Sequence, residues 1–361
     1  MHKDAWSDYR WQLRNRLTGR KGLSRLLRHA GQPERLESLD KCLSAYKWAA
    51  TPYYISLIEK DIDRDPVALQ VIPSPEEIGP ARPHSSPDPL SEKRYSPFPG
   101  LIHRYKDRAV VLVSNHCASY CRHCNRKRTW NRPEFVPAGK TAWQAVTEYL
   151  ENHSQIREVL VSGGDPLLLP QKYLENILDL LTSVPNVEVL RIGTRLPVVL
   201  PMAITDKLCR MLKKYRPIWI NTHFNHPAEI TKEAQRACER LQMSGIPLSN
   251  QSVLLKGVND DFKTIKNLCC NLQKIMVRPY YLFHCDFVKG TDHFRTDIRK
   301  GIDIMEKMWG DTGGMCIPRY VVDLPGGMGK ARVMPSDLER LDQDVATFKT
   351  FEGRVIKLHL S

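Results

Sequence analysis

Three cysteines, Cys117, Cys121 and Cys124, stand in the pattern C-x3-C-x2-C directly behind the β-branched run AVVLVS. Thiolates are soft ligands suited to an iron–sulfur cluster, and three of them leave one iron of a [4Fe–4S] cube open to a further molecule. The spacing alone also admits a zinc site completed by His123 or a distant cysteine, or simply packed thiols. A second chemical group is Lys330, which ends the glycine-rich stretch PGGMGK. A nucleotide-binding loop is excluded there, because Leu324 replaces the required glycine and Ala331 stands where Ser or Thr would hold magnesium. An accessible lysine amine can instead form a Schiff base with an aldehyde. A third is SGGDP, which alone reads as a turn, although adjacent glycines let backbone groups approach a ligand closely and a carboxylate can pair with an ammonium.

Regular elements have to hold these residues. From residue 109, short β-branched runs alternate with helix-length amphipathic segments, the pattern of βα units around a parallel sheet. Strands are expected at 109–114, 157–162, 187–192, 217–222, 247–254 and 278–283, with helices near 141–153, 170–183, 202–215, 228–244, 261–276 and 294–309. Six units are too few for a closed eight-stranded barrel, so the fold expected is α/β, a partial open (β/α)6 barrel. Ligands of such folds sit at the C-terminal ends of the strands. SNHCASYCRHC, SGGDP, THFNHP and FHCD all fall there.

Around this core, residues 1–100 read as a helical, polar extension followed by a connector. Trp6, Tyr9, Leu13 and Leu17 recur at helical spacing, with Lys3, Arg10, Arg14, Arg16, Arg20 and Lys21 on other faces. This extension is expected to pack or to form oligomers. Asp4 and Asp8 count against a targeting helix. Prolines crowd residues 72–100, an extended connector. Residues 101–313 form the barrel domain, and 314–361, with RYVVDL and FEGRVIKLHL, a C-terminal segment able to cover its open mouth.

The 361 residues carry 42% apolar and 26% charged side chains, the balance of an ordinary globular protein. No run is long and apolar enough for a membrane span and no secretory signal is seen, so a cytoplasmic location is expected. Ten cysteines in that setting point to reduced thiols and metal or redox chemistry. The net charge of +14 is spread along the chain without a recognisable nucleic-acid module, so no nucleic-acid partner is expected.

The residues around these motifs carry a resemblance. HRYKDRAVVLVSNHCASYCRHCNRKR, VLVSGGDPLLL, RIGTRLPVVLP, WINTHFNHPAEIT, NQSVLLKGVND, RPYYLFHCD, HFRT and YVVDLPGGMGK are similar to the lysine 2,3-aminomutases, pyridoxal-phosphate-dependent members of the radical S-adenosylmethionine (SAM) superfamily, in order over about residues 98–355. The resemblance implies a [4Fe–4S] cluster on Cys117, Cys121 and Cys124 that binds SAM and reduces it to a 5′-deoxyadenosyl radical. It places Gly163, Gly164 and Asp165 at the methionyl end of SAM, with His223 and Gln251 lining the same mouth. Lys330 becomes the Schiff-base lysine of pyridoxal phosphate, and Arg104, Tyr105 and Arg108 the holders of its phosphate. Arg126 takes the substrate carboxylate and Asp286 and Asp323 the distal ammonium of L-lysine, where glutamate-specific relatives have a lysine and an asparagine. The implied reaction moves the α-amino group to the β-carbon, with electrons from a flavodoxin- or ferredoxin-type donor.

Departures from the family are also legible. Clostridial-type enzymes hold zinc between subunits with a cysteine-rich C-terminal tail and a further cysteine. Here the sequence ends at Ser361 and Asp261 occupies the cysteine's place, so no such zinc link is expected. Cys269 and Cys270 are expected to pack. Alternative functions are β-lysine formation for modification of elongation factor P, an arginine 2,3-aminomutase, and a basic iron–sulfur or zinc protein that binds nucleic acid without catalysis.

Overall fold

The computed structural model describes residues 3–59, 61–80, 83–130 and 132–360; the first two residues of the N-terminal helical reading and residues 81–82 of the proline-rich connector lie outside them. Short helices open the chain. The pair Gly19–His29 and Arg35–Ala45 is flanked by β1 (Leu17–Thr18) and β2 (Ala49–Ala50), which pair antiparallel. Leu23, Leu27 and Leu39 are fully buried between these elements, and each such burial contributes about 1.5–3 kcal/mol. The connector is not uniformly extended. Pro75 opens the single helical turn Pro75–Ile78, where Ser74 and Glu77 form a capping box, and a second turn spans Glu92–Tyr95.

Among the described residues the central sheet has nine strands. A hairpin of β3 (Leu101–Tyr105) and β4 (Arg108–Ser114) begins it, followed by β5 (Glu158–Gly163), β6 (Val189–Gly193), β7 (Ile218–Thr222), β8 (Leu248–Leu254) and β9 (Arg278–His284). β4 to β9 run parallel and are the six strands expected from the sequence. The sheet then continues. β10 (Arg319–Leu324) adds parallel to β9, and β11 (Gly329–Arg332) folds back antiparallel on β10. Arg104 on β3 lies against Gly329 on β11, so the sheet curls until its two edges face each other.

Helices cover the outer face because their apolar residues recur once per turn. Trp143, Val146 and Leu150 are the buried side of Gly139–Glu151, and Leu174, Ile177, Leu178 and Leu181 that of Gln171–Thr182. The helix expected at 202–215 starts later, at Asp206. Pro201 makes a short turn first, and the Thr205 side chain accepts from Leu208 N to start the helix proper. Asp261 likewise caps Phe262–Lys274, and Cys269 on that helix is buried. After β11 the chain forms a separate antiparallel sheet of β12 (Leu338–Leu341), β13 (Val345–Lys349) and β14 (Val355–His359). Lys349 of this sheet reaches Glu306 on the helix Ile298–Met308. No described helix is long and apolar enough to cross a membrane.

Candidate active site

Every residue given a catalytic, cofactor, substrate or cluster role in the sequence lines one cavity of about 720 Å³ inside the curled sheet. Side chains from β12 to β14 do not line it.

The cysteine loop enters the cavity from the end of β4 and is clamped on two sides. On one side lies the N-terminal extension: Tyr120 N donates to Ala49 O at 3.0 Å, Arg122 N to Gln70 O at 2.8 Å, and Arg16 Nη1 to Cys117 O at 2.9 Å. Beneath the loop, the buried Arg122 guanidinium donates to Glu77 at 2.8 and 2.6 Å, and Lys127 Nζ donates to the same carboxylate at 2.7 Å. Against the cost of burial, these two cations pull the Glu77 carboxyl down to about 2. On the other side lies SGGDP. Gly164 N donates to Ser114 O and Asp165 N to His116 O. A Cβ on Gly163 would stand 2.2 Å from Ser114 O, and one on Gly164 2.2 Å from His116 O, so both positions require glycine for this approach to the cysteine loop.

Asp165 is turned toward the protein. Thr194 Oγ1 donates to it at 2.7 and 2.9 Å, and the backbone N–H groups of Arg195 and Leu167 at 2.8 and 3.1 Å. Burial pushes its carboxyl up to about 6 in spite of these donors. All three cysteines are free thiols. Cys124 Sγ accepts from Arg126 N at 3.3 Å, and Cys121 Sγ from Arg195 Nη1 at 2.8 Å. Nearby, His223 Nδ1 sits 3.1 Å from the carbonyl of Gln251, which fixes the proton on that nitrogen, and burial pulls the imidazole down to about 4. Among the described residues, no three His, Cys, Asp or Glu side chains converge as ligands of a single metal ion.

The other half of the cavity is built by the two sheet edges. Register places Lys330 on β11 directly opposite Asp323 on β10, and Lys330 Nζ donates to Asp323 Oδ1 at 2.7 Å. The turn between these strands has left-handed backbone at Gly326 and Gly327, and a Cβ on Gly327 would stand 2.4 Å from the Tyr95 ring. Asp286 follows β9 and has one buried carboxylate oxygen without a partner among the described residues. Burial and then the neighbouring Asp323 push its carboxyl up to about 7, against the pull of Lys330. From the β3–β4 hairpin, Arg104 lies over the rings of Tyr95 and Tyr105, and Arg108 over Tyr105 at 4.0 Å. Arg104 Nε and Tyr105 Oη are buried and unpaired among the described residues. Two unused donors side by side form a cradle for an anion.

Arg126 is already occupied. Its guanidinium donates to Glu92 at 2.7 and 3.0 Å and to Ser162 Oγ at 3.3 Å, and Arg128 shares the same Glu92. Glu92, Ser162 and Arg195 were not singled out from the sequence. Glu92 sits in the proline-rich connector, where nothing marks it as facing a cavity. Arg195 lies within RIGTRLP, a motif that carries the resemblance, and its place two residues beyond β6 was the available signal.

An open parallel half-barrel with three cysteines behind its first parallel strand and a large cavity at the strand ends defines a class of protein. Residues 111–269 match the model of the radical SAM superfamily, and residues 305–359 match a model described as Lysine-2,3-aminomutase. The chain is 46% identical over 351 residues to the L-lysine 2,3-aminomutase of Acetoanaerobium sticklandii, covering 97% of this chain and 84% of that one. It is 46% identical over 348 residues to that of Clostridium subterminale, covering 96% and 83%. A glutamate 2,3-aminomutase of Clostridioides difficile is 42% identical over 356 residues, covering 99% and 83%. The chain belongs to the lysine 2,3-aminomutase family of the radical SAM superfamily.

Proposed function

We propose that the chain is an isomerase that moves the α-amino group of L-lysine to its β-carbon, giving β-lysine, with a [4Fe–4S] cluster, SAM and pyridoxal phosphate as cofactors. The observation that carries this reading is the pair Asp286 and Asp323, two carboxylates in the one cavity that also holds the free cysteines and Lys330. Two carboxylates attract the distal ammonium of lysine and repel the second carboxylate of a glutamate.

The donor sets fit the three groups. A cubane takes one thiolate per iron, so Cys117, Cys121 and Cys124 need not converge on a point as ligands of a single zinc ion must. The unpaired Arg104 and Tyr105 donors, with Arg108 beside them, suit a phosphate, and Lys330 supplies the amine that carries the cofactor aldehyde. Gly163 and Gly164, braced on the cysteine loop by Asp165, form the seat for the methionyl end of SAM, with His223 and Gln251 lining the same mouth. When bound, these groups supply the hydrogen-abstracting radical and the stabilisation of the rearranging one.

The chain's own residues position and exclude. Arg126 exchanges its contact with Glu92 for the substrate carboxylate, and a bidentate guanidinium suits that task. Asp323, held by Lys330, and Asp286, whose carboxyl burial raises to about 7 so that about half of it is ionised near neutrality, receive the incoming ammonium. The curled sheet forms the walls of the site, and a low-potential protein supplies electrons. Anaerobic incubation with SAM, pyridoxal phosphate, dithionite and a panel of amino acids tests the reading. β-Lysine is the expected product, and Ala at any of the three cysteines should abolish SAM cleavage. Faster turnover of arginine or glutamate than of lysine would overturn the substrate, and SAM cleavage without those cysteines would overturn the cluster.

A further inference from the structure

The functional reading leaves Arg195 without a task, yet its side chain is only 9% exposed and every arm of it is engaged. Nη2 donates to Glu229 Oε1 at 2.6 Å, Gln70 Oε1 at 2.6 Å and Tyr54 Oη at 3.0 Å, and Nε donates to His223 O at 3.1 Å. Nη1 points the other way and donates to Cys121 Sγ at 2.8 Å. The counterion, Glu229, is fully buried and also accepts from Tyr54 Oη at 2.7 Å and from the backbone N–H groups of Asn225 and His226 at 2.6 and 3.0 Å. A buried carboxylate, a buried guanidinium and the half-buried sulfur of Cys121 are thus linked in series, and two of the supports, Tyr54 and Gln70, come from the N-terminal extension.

A brace between extension and barrel would be complete with Glu229, Gln70 and Tyr54. The remaining donor is aimed at a cluster ligand. A charged N–H on a thiolate sulfur draws electron density from it and favours the cluster state that carries the extra electron, and hydrogen bonds to sulfur and local charge are among the factors that set cluster potentials. We propose that Arg195 is a positioning residue that raises the reduction potential of the cluster through Cys121, and that Glu229 limits how much of its charge reaches the sulfur. The inference rests on the cluster assignment made above. The step it governs is the gain of one electron by the cluster from an external one-electron donor, with no proton or bond moved at Arg195.

The test is a redox titration of reconstituted full-length protein, without SAM, using dithionite and mediators and reading the reduced cluster by electron paramagnetic resonance. Arg195→Gln is expected to lower the reduced fraction about tenfold at a given poise, equivalent to about 59 mV more negative for a one-electron couple. Arg195→Lys should shift less in the same direction. Glu229→Gln, which leaves the guanidinium without its counterion, should shift the potential positive. A purely structural role predicts loss of iron or of folding but no opposed signs. Where Arg195→Gln does not hold iron, Arg195→Lys and Glu229→Gln decide the matter between them. Variants with full iron and wild-type potentials, or with shifts of one sign only, overturn the inference while leaving the cluster assignment intact. A wild-type protein that takes up no cluster overturns the assignment itself and the inference with it.

Discussion

Replacing Asp286 by Asn should separate substrate binding from fold. The Asp286 carboxyl is pushed up to about 7 by burial and by Asp323, so near neutrality only about half of it is ionised. An ammonium arriving at about 4 Å would attract the ionised form by about 4 kcal/mol at an effective dielectric of 20. Part of that is offset by the burial of the pair, which leaves about 1.5–3 kcal/mol, the usual worth of a hydrogen bond to a charged group. Asp286→Asn should therefore lower kcat/KM for lysine by about ten- to hundredfold, since each 1.4 kcal/mol is a factor of about ten. The pH dependence carries its own sign. The folded carboxyl lies above its unfolded value of about 3.9, so its contribution to stability is present at low pH and is lost as pH rises toward 7. Asn removes that loss, and the variant should melt no lower than wild type above pH 7. Lysine prefers the ionised carboxylate, so wild-type kcat/KM should rise through about pH 7 while the variant lacks that limb. Steady-state β-lysine formation across pH and thermal melts measure both. A variant within about threefold of wild type, or a wild-type profile flat across pH 7, would refute the reasoning.

Two further outcomes are expected. Lys330→Ala should retain iron and sulfide but lose the visible absorbance of bound pyridoxal phosphate, and an unchanged spectrum would place the attachment elsewhere. Glu77→Gln unpairs two buried cations and should cost about 3–5 kcal/mol by urea denaturation. Because the Glu77 carboxyl is depressed to about 2, its stabilisation is present above about pH 4.5 and is lost as pH falls toward 2, so the variant should show a weaker acid transition than wild type. A variant as stable as wild type at pH 7 would count against the Arg122–Glu77–Lys127 cluster as a support of the cysteine loop.

What could be read from the sequence was local. The runs that became β4 to β9 are short and separated by helix-length amphipathic segments, and the loops at their ends carry unmistakable chemistry. What escaped was set by contacts between distant segments. β10 joins β9 as a further parallel strand because Tyr320 and Val321 are buried against it, whereas RYVVDL alone reads equally well as a cover. Glycine at 163 and 164 was read as making room for a ligand, and in the fold it also makes room for the backbone at Ser114 and His116. Glu92 and Arg195 have partners in remote elements, and no spacing rule reaches that far.

The facing positions of Lys330 and Asp323 give the cavity the character of an ion exchanger. While the Lys330 amine is free it neutralises Asp323, so that carboxylate is not presented bare to potassium or stray polyamines. An aldehyde that ties up Lys330 Nζ strips Asp323 of its counterion and leaves a place that an incoming amine can fill. Charging the resin then comes before loading the column, and Asp323 is free to select a cation only when the lysine has been engaged.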